Sequence, residues 1–198
     1  MRLIVGISGA TGSIYGVRLL EILKKKRIET HLIITTIAKK IILQETSYSI
    51  EGIKNLASYV YDNEDLDASI SSGSFKTDGM VVIPCSIKTL SGIAHSYNEN
   101  LLIRAADVTL KERRRLILVV RETPLHQGHI EWMLQASRIG AILLPPMPAF
   151  YFQPKTIDDL INHTVGKVLD LFQIDHKLFE RWGSPRLKKA LKRKGLKS

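Results

Sequence analysis

Short, continuously apolar runs alternate with amphipathic segments along this chain. Residues 3–7, 31–36, 80–84, 116–120 and 141–144 are dominated by Leu, Ile, Val and Met with little period-2 alternation. Runs of this kind predict strands buried on both faces, as in a parallel sheet covered by helices. Between them, residues 13–26, 37–46, 87–95, 104–114, 130–139 and 157–172 carry helical patterns. The last segment opens on Thr156 with Asp159 three residues later, a capping box, and continues with a stripe at Ile161, Val165, Val168 and Phe172. The expected fold is therefore α/β: three layers around a doubly wound, mainly parallel, Rossmann-like sheet. Residues 62–73, acidic and then rich in Ser and Gly, read as the one clear loop of the first half. Neither an internal repeat nor a low-complexity segment is visible.

Composition narrows this picture. At 198 residues and 44% hydrophobic, the chain suffices for one good-sized core, so a single domain over residues 1–182 is expected. The formal charge of +10 suggests nucleic-acid binding until it is located along the chain. Eight Lys or Arg and no acid lie between Arg181 and Ser198, leaving +2 for residues 1–180. Residues 183–198 read as a basic tail, solvated or docking in an oligomer, because no aromatic follows Trp182 on which a base would stack. Nucleic acid is disfavoured as a partner. The lone Cys85 cannot form an internal disulfide, which fits a reducing compartment and a cytoplasmic location. The first apolar run is too brief for a signal peptide or a membrane span, so no membrane association is expected.

Candidate chemistry concentrates at predicted strand ends. Arg104 and Lys111 are two helical turns apart and project from one face, and the following strand ends in Arg121-Glu122-Thr123-Pro124. Ligands of open α/β sheets sit at such carboxyl ends. A phosphate site and a solvated helix with an Asp107–Lys111 i,i+4 pair fit this stretch equally well. The first strand leads through Gly6-Ile7-Ser8-Gly9-Ala10-Thr11-Gly12 into a helix, an arrangement that aims backbone N–H groups at phosphate. Ser8, Thr11 and Ser13 would add hydroxyl donors. The second strand closes on Thr35-Thr36 rather than on an acid that would hold a ribose, which disfavours NAD and favours a mononucleotide such as FMN. A second cradle, Pro84-Cys85-Ser86-Ile87-Lys88-Thr89, follows another core strand and can converge on the same ligand.

Other features carry less. His126 and His129 lie i,i+3 without a carboxylate or cysteine at ligand spacing, so no metal is expected. Cys85 reads as a buried structural thiol. No G-x-S-x-G elbow is present. Residues 145–151, PPMPAFY, form a stiff apolar segment suited to lining a hydrocarbon pocket or to joining the last strand to the last helix.

Taken together, GISGATG, SSGSF, PCSIKTLSGIA, NLLIRAADVTLKERR, VVRETPL, GAILLPPMPAFYFQP and RWG closely resemble, in order and spacing, the UbiX-type flavin prenyltransferases, formerly described as phenylacrylic or 3-octaprenyl-4-hydroxybenzoate decarboxylases. The match spans residues 1–183. The resemblance implies a homo-oligomeric flavoprotein, typically a dodecamer, that joins a dimethylallyl group from dimethylallyl monophosphate to N5 and C6 of reduced FMN. The product serves a UbiD-type decarboxylase, as in ubiquinone biosynthesis or aromatic-acid decarboxylation.

By the same resemblance, Gly9, Ala10, Thr11, Thr35, Ser86, Ile87, Lys88, Thr89 and Arg121 match FMN-binding positions. Arg104, Lys111, Tyr151 and Lys167 match positions that hold the donor phosphate. Glu45 and Glu122 match active-site glutamates, and Trp182 matches an aromatic near the prenyl pocket; with Thr11 and Tyr151 they form the expected catalytic set. Two departures stand out. Thr11 occupies a position where the family often has serine, and Lys167 one where it commonly has arginine, losing a bidentate fork. Lys167 lies off the apolar stripe, so its assignment rests on the resemblance. The rival reading, an FMN-dependent decarboxylase of the related cysteine-decarboxylase fold, calls for a histidine on the helix after the second strand and a PASANT-like loop. Here no histidine lies between His31 and His95, and the loop reads PCSIKT.

Overall fold

The computed structural model describes residues 1–186. They pack as two compact units, one covering Met1–Pro146 and one beginning at Met147. Of the basic tail read from the sequence, residues 187–198 lie outside the described residues.

In the first unit, six strands form one sheet: β1 Arg2–Ile7, β2 Glu29–Ile34, β3 Tyr59–Tyr61, β4 Gly79–Cys85, β5 Arg115–Val120 and β6 Ile142–Leu143. Every pairing is parallel, in the order β3-β2-β1-β4-β5-β6. Helices α1 Ser13–Lys25, α2 Thr36–Glu45, α3 Ile50–Lys54, α4 Ile87–Ala94, α5 Leu101–Lys111 and α6 Gln127–Arg138 connect them. All seven residues of β4 are buried. Alternate residues Met80 and Val82 of β4 and Leu116 and Leu118 of β5 pack with Leu90, Leu102 and Ala106 of α4 and α5 in one core. The intervening Val81, Ile83, Ile117 and Val119 are buried just as fully. Burial on both faces is what uniformly apolar strands require, and each such side chain contributes about 1.5–3 kcal/mol.

The chain runs outward from β1 to β2 and β3, then crosses back to β4 on the other side of β1. The carboxyl ends of β1 and β4 thus become neighbours at the point where the order reverses, the place where doubly wound sheets open a crevice.

Element types follow the sequence pattern; boundaries depart from it where local hydrogen bonds decide. Helix α5 begins at Leu101 rather than Arg104, because Asn100 caps Ile103 N–H and Asn63 accepts the N–H groups of Leu101 and Leu102. Helix α6 begins at Gln127 rather than Ile130, capped by His126. The short edge strand β3 and helix α3 carry too few buried residues to give a periodic signal. Residues 62–73, read as a loop, include a 3-10 turn, Ser69–Ser71, that buries Ile70.

In the second unit, α7 spans Ile157–Leu171 with its capping box formed, and Ile161, Val165, Val168 and Phe172 are buried as the stripe requires. Gly166 lets the rings of Phe179 and His176 lie on this helix, since a Cβ there would stand 2.5 Å from Phe179 Cε1.

Helix α1 approaches the sheet closely at Gly16, where a Cβ would meet the Ile83 carbonyl oxygen at 2.5 Å and Ile7 Cδ1 at 2.9 Å. A backbone oxygen cannot yield as a flexible side chain can. Gly16→Ala is expected to destabilise the protein by about 1–3 kcal/mol through overpacking, read as a lower urea midpoint.

Candidate functional site

A cleft of about 570 Å³ lies at the carboxyl edge of the first unit. Gly9 reaches it from the β1 exit, Thr35 from β2, Ser86 to Thr89 from β4 and Glu122 from β5. Four strand ends separated by more than a hundred residues of sequence therefore converge on one concavity.

Two helices open into it. Thr35 caps α2, its side-chain oxygen accepting Ala38 N–H at 3.2 Å. Ser86 caps α4, accepting Thr89 N–H at 3.3 Å while its hydroxyl donates to Thr89 Oγ1 at 3.1 Å. First-turn N–H groups have no intrahelical partner and carry the positive end of the helix dipole, so both starts suit an anion. At Gly9 a Cβ would fall 2.7 Å from Ile37 Cγ2, so the bare backbone is what fits between the β1 loop and α2. The exposed Lys88 ammonium stands 3.1 Å from Glu99 Oε1 at the cleft wall.

The first loop differs from its sequence reading. The N–H groups of Gly12 and Ser13, expected to face a phosphate, donate instead to Glu45 Oε2 at 2.9 and 3.2 Å, and Ser13 Oγ donates to the same oxygen at 3.1 Å. Gly12 caps α1 in the left-handed conformation and has no side chain to offer, so a carboxylate from the end of α2 takes that role. Burial pushes the Glu45 carboxyl up. Hydrogen bonds from Thr11, Gly12 and Ser13 outweigh it and hold the group below the ordinary carboxylate range. The Ser8 hydroxyl is likewise committed: it donates to the Pro84 carbonyl at 3.0 Å and accepts Ser86 N–H at 2.8 Å, bridging the β1 and β4 exits. Ala10 N–H closes the loop onto the Ser8 carbonyl.

The remaining expected residues fall in separate places. Arg121 follows β5, its N–H on the Cys85 carbonyl at 3.0 Å, and Glu122 accepts Thr123 N–H. Arg104 and Lys111 share a face of α5, but it looks onto the 3-10 turn and the segment after it. Arg104 Nε donates to the Ser71 carbonyl at 3.1 Å, and Lys111 Nζ lies beside Gly73, paired with Glu112. Asp107 pairs with Arg104 rather than with Lys111, its oxygen also held by Asn98. Arg114 donates to the Gly73 and Phe75 carbonyls at 2.7 and 2.8 Å.

In the second unit, Tyr151 and Trp182 pack edge to face with ring centroids 5.5 Å apart. Burial and Asp170 raise the Tyr151 phenol against the opposing pull of Arg181. Lys167 stands 3.8 Å from Asp170. Arg181 grips the same carboxylate through two nitrogens, at 3.0 and 2.6 Å.

Asn63, Glu64, Glu99 and Asn100 also line the cleft, and sequence reasoning missed them. They come from segments far apart in the chain, so only the topology reveals their shared position. Cys85 is fully buried, and burial pushes its thiol up, which marks it as structural. The His126 and His129 rings are tilted by 33° to one another with centroids 3.5 Å apart. Among the described residues, no group of three or more His, Cys, Asp or Glu side chains could hold a metal ion, and no helix is long and apolar enough to cross a membrane.

A parallel sheet with a mononucleotide-sized cleft at its switch point defines a nucleotide-binding α/β protein, and residues 1–169 match the family model described as Flavoprotein. More narrowly, the chain belongs to the UbiX flavin prenyltransferase family. It is 59% identical over 182 residues to flavin prenyltransferase UbiX of Thauera aromatica, covering 92% of this chain and 94% of that protein. The crystal structure of AnUbiX in complex with FMN and dimethylallyl pyrophosphate superposes with a TM-score of 0.91 at 47% identity, over 92% of this chain and 97% of that one. A dodecameric FMN-dependent UbiX-like decarboxylase from Escherichia coli O157:H7 gives a TM-score of 0.91 at 51% identity, over 93% and 100% of the two chains.

The Asp170 cluster yields a pH prediction. Hydrogen bonds from Arg181 hold its carboxyl below the ordinary range, burial opposes them, and His176 adds to the lowering. A depressed folded-state pKa gives stability that is present above the unfolded pKa, about 4, and is lost as pH falls through the folded value. Urea midpoints measured from pH 7 to pH 3 are expected to fall, and Asp170→Asn to lower the pH 7 midpoint while flattening that acid limb.

Proposed function

We propose that this protein is a flavin prenyltransferase that joins the dimethylallyl group of a dimethylallyl phosphate to N5 and C6 of reduced FMN. The observation that carries this reading is the cleft at the switch point, where two capped helix starts and the bare backbone of Gly9 face a volume suited to a flavin mononucleotide, in a chain of the flavin prenyltransferase family. The residues present fit the group. We assign Thr35, Ser86, Ile87, Lys88 and Thr89 to the anionic end, and Gly9, Ala10, Thr11 and Arg121 to the remainder.

Reduced FMN, when bound, supplies the two nucleophilic positions that accept the prenyl group. The protein's part is to position and to stabilise charge. Loss of phosphate from an allylic carbon leaves a delocalised cation, and the leaving group gathers negative charge that fixed cations stabilise where water is scarce. On the resemblance alone, Arg104 and Lys111 of the first unit and Tyr151 and Lys167 of the second are each candidates for that phosphate; each charge-assisted hydrogen bond contributes about 1.5–3 kcal/mol. The aromatic faces of Tyr151 and Trp182 suit the carbocation. Bringing the two partners into near-attack geometry supplies much of the rest. A proton is lost at the end. A carboxylate held below its ordinary range accepts protons weakly, which counts against Glu45 as the base.

The decarboxylase alternative lacks its histidine, since α2 reads TIAKKIILQE. On the favoured reading the product passes to a UbiD-type decarboxylase, the protein works as a dodecamer in the cytoplasm, residues 1–182 serve the flavin chemistry, and residues 183–198 are accessory.

Anaerobic reduction of the FMN-loaded protein with dimethylallyl monophosphate is expected to yield a flavin heavier by one prenyl unit. Mass spectrometry that finds unmodified FMN alone would sink the proposal. Lys111→Ala is expected to raise the donor KM about tenfold or more while FMN stays bound; equal loss of both would show that Lys111 does not serve the donor.

A further inference from the structure

Asp107 has no part in the reading above, yet it settles which way Arg104 points. The Arg104 guanidinium is held at two of its three nitrogens: Nε donates to the Ser71 carbonyl at 3.1 Å and Nη1 to Asp107 Oδ2 at 3.2 Å. Both acceptors are themselves fixed. Ser71 closes the 3-10 turn beside the buried Ile70, and the segment after it is tied down where Arg114 donates to the Gly73 and Phe75 carbonyls. Asp107 Oδ2 also accepts Asn98 Nδ2 at 3.1 Å. Asn98 Oδ1 is buried and bonds no described residue, so this amide keeps its donor on the carboxylate at the cost of its own acceptor. Arg104 Nη2 bonds no described residue either, and 34% of the side chain stays exposed. Two pinned nitrogens fix the plane of the guanidinium and leave Nη2 to meet an incoming phosphate.

We propose that Asp107 is a positioning residue for the phosphorylated donor: together with Ser71 it locks the Arg104 guanidinium so that Nη2 is presented to the donor phosphate. This rests on the flavin prenyltransferase reading and on Arg104 as a candidate for that phosphate within it. An unrestrained arginine gives up rotamer freedom when it takes an anion, whereas one held in place has given it up on folding. The carboxylate also opposes the phosphate by its charge. That repulsion is weakened by solvent at a partly exposed i,i+3 pair, so the gain in position outweighs it.

Isothermal titration of dimethylallyl monophosphate into protein loaded with oxidised FMN reads donor binding apart from turnover, because the reaction takes the reduced flavin. Asp107→Ala is expected to weaken the donor about tenfold with FMN affinity and Tm little changed. Asp107→Asn, which keeps an oxygen for Nη1, is expected to stay within about twofold of wild type. In an Arg104→Ala background, Asp107→Ala is expected to weaken the donor no further, since its effect passes through that guanidinium. A loss that persists in that background would overturn the proposal, as would Asp107→Ala protein that binds the donor as tightly as wild type. A fall in FMN affinity and Tm in step with donor affinity marks a merely structural pair and would overturn it too. Arg104→Ala protein that binds the donor as well as wild type would overturn the proposal together with the candidacy of Arg104. Wild-type protein that binds the donor but makes no prenylated flavin after reduction would overturn the transferase reading alone, while the titrations still report whether Asp107 acts through Arg104.

Discussion

The buried hydroxyl of Ser8 joins the two halves of the cleft. It donates to the Pro84 carbonyl and accepts the N–H of Ser86, so the exits of β1 and β4 are held together across the switch point. A buried hydroxyl left without partners is costly, and here both of its capacities are used. The bridge keeps Gly9 on one side and the Ser86 cap on the other at the separation the cleft requires. The parallel sheet makes it possible, because β1 and β4 are adjacent and point the same way only in the order 3-2-1-4-5-6.

Around this bridge the helix starts divide their roles. The positive end of α1 is taken by Glu45, whereas α2 and α4 are capped by their own Thr35 and Ser86 and open into the cleft. A carboxylate at α1 takes up that helix start, and the other two starts are the ones whose N–H groups suit an anion. Lys88 beside Glu99 adds a cation already paired within the chain. The cleft is thus a site of preset dipoles with few free charges.

Much of this was legible in the residues, and the failures have identifiable causes. The strands were readable because burial on both faces demands unbroken apolar runs, and α7 because Thr156 and Asp159 close a local box that needs no other element. Arg104 and Lys111 do share a face, since helical periodicity fixes that. What they touch, Ser71 and the neighbourhood of Gly73, depends on a segment some thirty to forty positions away. The partners of Arg114 are carbonyls of that same segment, and a carbonyl leaves no mark in a sequence.

By itself the sequence determined the α/β class, the order of strands and helices, the placing of most of the charge in the last eighteen residues, and the family through its ordered motifs. Each of these is local, periodic or compositional. Only the tertiary structure decided that Glu45 caps α1, that Ser8 bridges two loops, and that Asn63, Glu99 and Asn100 wall the same cleft as Gly9. These are contacts between positions far apart in the chain, and they are set by which strands lie side by side. A hydroxyl or a carboxylate in a sequence states what it can bond; the fold states what it meets.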